Sequence, residues 1–176
     1  KTAKPNRLFC RSHKIMKISV IIPVYNEAKT LAEVVKRVEA ANIDKEIIAV
    51  DDGSTDGSFD VLTKLADEGR IKFIRHQKNL GKGAAIKIGL KTAIGDIIIV
   101  QDADLETDPQ DFYELIKPIK NGETKAVFGY RIAKKPASIY WWGGKTVSLT
   151  TRLLYGGNIK DVNNGYKVMT RDLWTS

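Results

Sequence analysis

Cysteine and histidine are scarce in this chain of 176 residues, and their scarcity argues against two classes of site. The single cysteine, Cys10, cannot form an intrachain disulfide. Two histidines, His13 and His76, are too few for an ordinary zinc site built from cysteine and histidine. Any metal ion that the chain binds is therefore expected to have oxygen ligands.

Long hydrophobic runs are also missing. No apolar stretch approaches the roughly 20 residues that span a bilayer, and the charged start of the chain is not followed by the apolar segment of a signal peptide. We therefore expect a soluble, cytoplasmic chain. With 43% hydrophobic residues, its length suffices for one domain with a substantial core and is too short for two ordinary domains.

Acidic residues are absent from the first 17 positions, where six lysines and arginines account for most of the net charge of +8. In the rest of the chain, 23 basic and 21 acidic residues almost cancel. The basic balance is thus weak support for a nucleic-acid partner, and we predict none. We interpret residues 1–16 as a basic extension without a fold of its own, and residues 17–176 as the folded domain.

Short runs rich in isoleucine and valine are typical of buried strands. There are five of them, at residues 17–25, 45–52, 71–76, 96–104 and 125–131. Between them, apolar residues at helical spacing predict one helix through Leu31 and Val38, and a later one with Asp108 as its cap and Pro109 in its first turn. This alternation predicts an α/β fold with a mostly parallel central sheet and helices on both faces.

Abrupt polar segments follow several of these runs, among them "PVYNE", "DDGSTDGS" and "QDADLE". Because the carboxyl ends of parallel strands meet at one edge of a sheet, these segments predict a ligand site there. The chain has no G-x-x-x-x-G-K-[ST] phosphate loop, and "GKGAAIKIG" lacks the third small residue of a dinucleotide fingerprint. The carboxylates of Asp102 and Asp104 instead suit Mg²⁺ or Mn²⁺, which bridges carboxylate and phosphate.

Six motifs occur in an order that resembles glycosyltransferase family 2, inverting enzymes with the GT-A fold. They are "SVIIPVYNE", "VDDGSTDGS", "NLGKGAAIKIGL", "VQDADLETDP", "VFGYR" and "DVNNGYKVM". The form "QDADLETDP" is most similar to the polyprenyl-phosphate branch, which includes the dolichyl-phosphate mannose and glucose synthases. The resemblance covers residues 17–173 and implies a GT-A domain.

The resemblance also implies a nucleotide-sugar site at the ends of the predicted strands. Within it, Asp52 would accept a hydrogen bond from an N–H group of the base. The implied contacts with the nucleotide sugar come from a set of residues along this edge of the sheet: Pro23, Tyr25, Glu27, Val50, Asp52, Asp102, Ala103 and Lys145.

Metal-binding and catalytic groups are implied by the same resemblance. Asp104 would hold Mg²⁺ or Mn²⁺ directly, with Glu106 and Asp102 as further carboxylates of the metal site. Arg131 would contact the diphosphate of the leaving nucleotide, and Asp161 would lie near the acceptor. The implied catalytic residues are thus Asp104, Arg131 and Asp161.

The implied function is a metal-dependent, inverting transfer of a hexose from a nucleotide diphosphate sugar of the GDP-mannose or UDP-glucose type to a polyprenyl or dolichyl phosphate. The enzyme would act as a peripheral protein at the cytoplasmic face of a membrane, where its lipid-phosphate partner lies. Two alternatives stay open. One is transfer to a sugar hydroxyl in polysaccharide or surface-glycan synthesis, and the other is a catalytically silent module that binds nucleotide sugars.

Other residues in the motifs are interpreted as structural. Gly53 is expected to form a turn, and Asn79 and Gly81 are expected to form a turn with close packing before a helix. Lys82 is expected to be solvated. The family's domain normally continues beyond the position of Ser176 with a helix and a basic stretch, so we expect a chain truncated at its carboxyl-terminal end.

Overall fold

A computed structural model of the protein describes residues 16–129 and 166–175. A short 3-10 turn, Pro109–Asp111, leads directly into the fourth helix. The strands and α-helices are β1 (Ile18–Val24), α1 (Leu31–Ala40), β2 (Lys45–Asp51), α2 (Ser58–Asp67), β3 (Lys72–Arg75), α3 (Lys82–Thr92), β4 (Ile97–Val100), α4 (Phe112–Lys120), β5 (Ala126–Phe128), β6 (Lys167–Thr170) and α5 (Arg171–Thr175).

Six strands form one sheet in the order β3-β2-β1-β4-β6-β5. β1 pairs in parallel with β2 and β4, and β2 pairs in parallel with β3, whereas β6 runs antiparallel to both β4 and β5. The mostly parallel sheet is therefore confirmed. β6 is not among the predicted strands, because four residues are too few for a clear alternation and its place in the sheet depends on pairing with distant strands.

The helices cover both faces of the sheet, as predicted. Val20 and Ile99 pack against α1, α2 and α4 on one face, while Ile21 and Ile98 pack on the other face with α3. All four side chains are completely buried, and each contributes about 1.5–3 kcal/mol by leaving water. Burial on both faces explains why the central strands are continuously apolar rather than alternating.

Both helices predicted from periodicity are present as α1 and α4. The predicted start of the second is also confirmed, since Asp108 accepts a hydrogen bond from the backbone N–H of Gln110 at 3.0 Å and Pro109 follows it. These two residues begin the 3-10 turn that precedes α4. The largest difference lies in β4, which ends at Val100 rather than continuing to Asp104.

No helix within residues 16–129 and 166–175 is both long and apolar enough to cross a membrane. The first 15 residues lie outside the described ranges. The interpretation of residues 1–16 as an extension therefore stays a prediction.

Candidate active site

A cleft of about 260 Å³ opens at the carboxyl ends of the central strands. The loops after β1, β2, β3 and β4 and the start of α3 form its walls. The residues that line it are Pro23, Val24, Tyr25, Glu27, Asp52, Asn79, Gly81, Lys82, Ala85, Asp102, Ala103 and Asp104. Seven residues of the predicted site therefore share one cavity, although they come from the end of β1 and from three separate loops.

The loop after β2 supports the loop after β1, which carries Tyr25 and Glu27. The backbone N–H of Asn26 donates to Ser54 Oγ at 3.0 Å, and the backbone N–H of Glu27 donates to Ser58 Oγ at 2.9 Å. Asn26 itself has a φ of 58°, a conformation that asparagine tolerates better than most residues. The motif "DDGSTDGS" thus fixes the position of the first cleft loop.

Asp52 is buried at the end of β2 and binds the loop between β3 and α3. Its Oδ1 accepts from the backbone N–H of Leu80 at 3.0 Å and lies 2.7 Å from His76 Nδ1, while its Oδ2 accepts from the backbone N–H of Gly81 at 2.7 Å. Burial by itself would raise the pKa of Asp52, but the hydrogen bonds from His76, Leu80 and Gly81 together hold that pKa below its usual value. Asp52 therefore presents an ionised acceptor to the cleft at neutral pH.

Close packing at Gly53 makes this arrangement possible. Gly53 has a φ of +77°, and a Cβ atom there would lie 2.6 Å from the backbone carbon of Lys78 and 2.7 Å from the backbone nitrogen of Asn79. Only glycine lets the loop after β3 approach the loop after β2 so closely. Gly53 thus has the structural role predicted for it.

The loop after β4 presents the carboxylates of Asp102 and Asp104 to the cleft. Buried Gln101 spans the base of this loop, because its Nε2 donates to the backbone oxygen of Asp102 and to Thr107 Oγ1, both at 2.8 Å. Leu105 has a positive φ of 63°, which is uncommon for a residue with a bulky side chain. The acidic residues therefore lie in a turn beyond the end of β4.

Glu106 neighbours Asp104 but does not line the cleft with the two aspartates. Its backbone N–H donates to Asp104 Oδ1 at 3.0 Å, but its side chain is exposed and it is not among the residues that line the cleft. In the described part of the chain, no three histidine, cysteine, aspartate or glutamate side chains are grouped so that they could hold a metal ion. One or two carboxylates completed by substrate phosphates are a common set for Mg²⁺, so Asp102 and Asp104 fit an ion shared with a diphosphate.

Lys82 is a charged cleft residue that the sequence interpretation missed. Its Nζ lies 2.5 Å from Asp102 Oδ1, although the lysine side chain is 52% exposed. It begins α3, whose first-turn N–H groups carry partial positive charge. The interpretation of Lys82 as merely solvated is therefore wrong, and the lysine directly after Gly81 at a predicted helix start was the available signal.

Asn79 and Gly81 also line the cleft, in addition to forming the expected turn. Val50, in contrast, is completely buried beneath α3 with Ile21 and Ala85 and does not line the cavity. A contact between Val50 and a nucleotide sugar stays a prediction, as do the roles of the other predicted residues. Three of these, Arg131, Lys145 and Asp161, lie outside the described residues.

Comparisons with known proteins place the chain among glycosyltransferases. The family model described as "Glycosyl transferase family 2" matches residues 19–173. The dolichol-phosphate mannosyltransferase of Pyrococcus furiosus is 40% identical over 121 residues, which are 68% of this chain and 34% of that protein. The undecaprenyl-phosphate 4-deoxy-4-formamido-L-arabinose transferase of Pseudomonas syringae pv. syringae is 33% identical over 157 residues, which are 86% of this chain and 46% of that protein. The chain thus spans between a third and a half of the length of these relatives.

Solved structures share the fold. Glucosyl-3-phosphoglycerate synthase from Mycobacterium tuberculosis, in complex with Mn²⁺, UDP and glucosyl-3-phosphoglycerate, has a TM-score of 0.73 at 23% identity over 92% of this chain and 59% of that one. A mannosyltransferase from Pyrobaculum calidifontis, in complex with GDP-Man and Mn²⁺, has a TM-score of 0.65 at 23% identity over 90% of this chain and 45% of that one. Together with the family match, these likenesses confirm the expected GT-A fold.

Proposed function

The chain belongs to glycosyl transferase family 2, and on that premise we propose that it transfers a hexose from a nucleotide diphosphate sugar to a polyprenyl phosphate. The observation that carries the proposal is the cleft, where Asp102, Asp104 and Lys82 lie together at the carboxyl ends of the strands. Two carboxylates and an ammonium group suit a diphosphate that shares a divalent ion with the protein. The names of the two relatives, a dolichol-phosphate and an undecaprenyl-phosphate transferase, support a lipid-phosphate acceptor.

Asp104 and Asp102 are the residues proposed to hold Mg²⁺ or Mn²⁺. Glu106, which follows in the same loop but does not line the cleft, is proposed as a further ligand. When it is bound, the ion stabilises the negative charge that develops on the departing nucleotide diphosphate. Support for a divalent ion comes from the solved structures of two similar proteins, both of which contain Mn²⁺.

Cationic side chains are proposed to bind the diphosphate, with Lys82 acting from the start of α3 and Arg131 and Lys145 from the segment beyond β5. Fixed cations stabilise a leaving group without reorganising during the reaction, which is the basis of electrostatic catalysis. At the other end of the cleft, the nucleoside is proposed to lie against the Pro23–Glu27 loop and Asp52.

The proposed reaction inverts the anomeric carbon. An oxygen of the acceptor phosphate attacks this carbon from the face opposite the leaving group and forms the new C–O bond. The bond from the anomeric carbon to the β-phosphate oxygen breaks, and its electron pair stays on the nucleotide diphosphate. A phosphate monoester has its second pKa near 6 and is already largely ionised at pH 7, so this acceptor needs little help from a general base.

We place the reaction at the cytoplasmic face of a membrane, where a lipid phosphate meets a water-soluble donor.

The direct test is an assay of the 176-residue chain with radiolabelled UDP- and GDP-hexoses, Mn²⁺ and a short-chain polyprenyl phosphate. We expect a labelled lipid product that is lost in EDTA and in the Asp104→Asn variant. Transfer only to a sugar hydroxyl would overturn the choice of acceptor. Nucleotide binding without turnover on any acceptor, in a protein extended to the full length of the relatives, would instead identify a silent binding module.

Asp161 offers a sharper test of the acceptor class. A sugar hydroxyl needs a base to remove its proton, and that help is typically worth about 10²–10⁴-fold in rate. With a lipid-phosphate acceptor, Asp161→Asn should lose less activity than Asp104→Asn, and its remaining rate should rise as the acceptor phosphate ionises. The contrary outcome has two parts. The parent protein would not use polyprenyl phosphate, and Asp161→Asn would transfer to a sugar hydroxyl about 10²–10⁴-fold more slowly than the parent. Asp161 would then be a general base, and the lipid assignment would be refuted.

A further inference from the structure

We infer that the cleft selects a uracil nucleotide over a guanine nucleotide, because Asp52 has acceptor capacity left for a single N–H group of a base. The inference rests on the proposed function, since it requires that a nucleotide occupy this cleft. It is carried by the hydrogen bonds that Asp52 already makes within the protein.

The strand order determines which end of the cleft receives the base. Asp52 follows β2 and Asp102 follows β4, and β1 lies between these strands. Two strand spacings, about 10 Å, separate the strands that these two residues follow. Lys82 and Asp104 lie at the β4 end, where the diphosphate is proposed to bind. The base at the other end of the nucleotide is therefore directed towards Asp52.

Most of the acceptor capacity of Asp52 is already used. A carboxylate has two oxygens, each of which accepts about two hydrogen bonds. Oδ1 accepts from Leu80 N at 3.0 Å and lies 2.7 Å from His76 Nδ1, which must carry a proton because two acceptors at that distance would repel each other. Oδ2 accepts from Gly81 N at 2.7 Å. One acceptor position, on Oδ2, remains for a ligand.

Asn79 supplies a donor beside this acceptor. It lines the cleft, and its Oδ1 accepts from the backbone N–H of Gly81 at 2.9 Å. This bond orients the side-chain amide, and within the described residues Asn79 Nδ2 donates to no protein acceptor. The end of the cleft near Asp52 therefore offers one acceptor and an adjacent amide donor.

Uracil matches this arrangement, because its N3–H is a single donor between two carbonyl oxygens. Guanine presents N1–H and N2–H side by side, and a carboxylate satisfies this pair only when both of its oxygens are available. Adenine and cytosine place a ring-nitrogen acceptor where the single donor is needed. A guanine donor left unpaired against buried Asp52 should weaken binding by about 10-fold or more.

The test compares the dissociation constants of UDP and GDP in Mn²⁺ for the intact 176-residue chain by isothermal titration calorimetry. We expect UDP to bind about 10-fold more tightly than GDP, or better. Equal or tighter binding of GDP would overturn the inference and leave the proposed function in place. Binding of neither nucleotide would overturn both.

A matched pair of variants at His76 tests the cause of the preference. His76→Leu removes the side-chain donor and frees a position on Oδ1, so the ratio of the two dissociation constants should fall towards one. His76→Asn retains an amide donor near the position of Nδ1 and should keep the parent ratio. Because each ratio is measured within one folded protein, a general loss of affinity would not imitate this result. If a folded His76→Leu variant kept the parent ratio of the UDP and GDP dissociation constants, the number of free acceptor positions on Asp52 would not be the cause of the preference.

Discussion

Asp52, after β2, and Asp104, after β4, both face the same cleft, but the protein holds their carboxylates differently. Asp52 is almost completely buried and receives hydrogen bonds from the loop between β3 and α3. Asp104 is exposed, and its carboxylate accepts the backbone N–H of Glu106 within its own loop. The first carboxylate is fixed before any ligand arrives, while the second keeps most of its acceptor capacity.

The difference matters because the two ends are proposed to bind different chemistry. A planar base with few polar atoms requires donors and acceptors in fixed positions, and the buried network around Asp52 supplies them. A metal ion and a diphosphate bring strong charges of their own, so the carboxylates that meet them can remain hydrated until binding. One cleft thus combines a rigid end at Asp52 with an exposed acidic end at Asp102 and Asp104.

The largest expected effect lies at the exposed end. Asp104→Asn removes a negative charge proposed to bind the metal directly, and should weaken Mn²⁺-dependent binding of a nucleotide diphosphate by about 100-fold or more, since even supporting groups around a metal are worth about 10- to 100-fold. Calorimetry with and without EDTA measures it. Asp67→Asn, at an exposed position in α2, serves as the control and should bind normally. Unchanged affinity in Asp104→Asn would remove the basis for a metal site at this end.

The rigid end can be disturbed through its backbone. In Gly53→Ala, the new Cβ would collide with the backbone at Lys78, in addition to the strain of a positive φ. The free energy of unfolding should therefore fall by about 1–3 kcal/mol more than in a glycine-to-alanine variant that has the positive φ but no collision. Gly57→Ala is that control, because Gly57 has a φ of +92° and nothing lies within 4 Å of its Cβ position. Urea unfolding of both variants gives the comparison. Equal losses would show that the approach of the two loops is not tightly constrained.

The ion pair between Lys82 and Asp102 connects the exposed end to α3. Without nucleotide, Lys82→Met should strengthen Mn²⁺ binding by up to about 5-fold, because the lysine no longer competes for the carboxylate and an exposed ion pair is worth at most about 1 kcal/mol. The same variant should weaken binding of the nucleotide diphosphate, since a cation near the phosphates is lost. Lys87→Met, on an exposed part of α3, should change neither constant. Weakening of both metal and nucleotide binding by Lys82→Met would contradict a competing ion pair.

The smallest effect concerns the pH dependence of stability at Asp52. Its pKa in the folded protein lies below the ordinary value of 3.8, so its contribution to stability is complete above that value and is lost as the pH falls through the folded pKa. The unfolding free energy of the parent should therefore drop more steeply than that of Asp52→Asn as the pH falls below about 4. Parallel curves would mean that the hydrogen bonds do not favour the ionised form.

Much of the fold was accessible from local patterns. The isoleucine and valine runs predicted the first five strands, and helical spacing predicted α1 and α4, because each of these signals lies within one element. The polar segments after the strands also predicted which edge of the sheet carries the cleft, because parallel strands end on the same side. β6 was not accessible, because its four residues become a strand only by pairing with β4 and β5.

The sequence by itself determined the alternation of strands and helices and the chemistry at the strand ends, because hydrophobic periodicity and loop composition are local properties. Tertiary structure alone decided which side chains meet. Val50 is buried under α3 while Asp52, just beyond the strand, reaches the cleft, and Lys82 meets Asp102 because α3 starts beside the end of β4. It also decided that the three protein donors at Asp52 come from the loop after β3. Such contacts depend on strand order and loop packing, which bring together residues that are far apart along the chain.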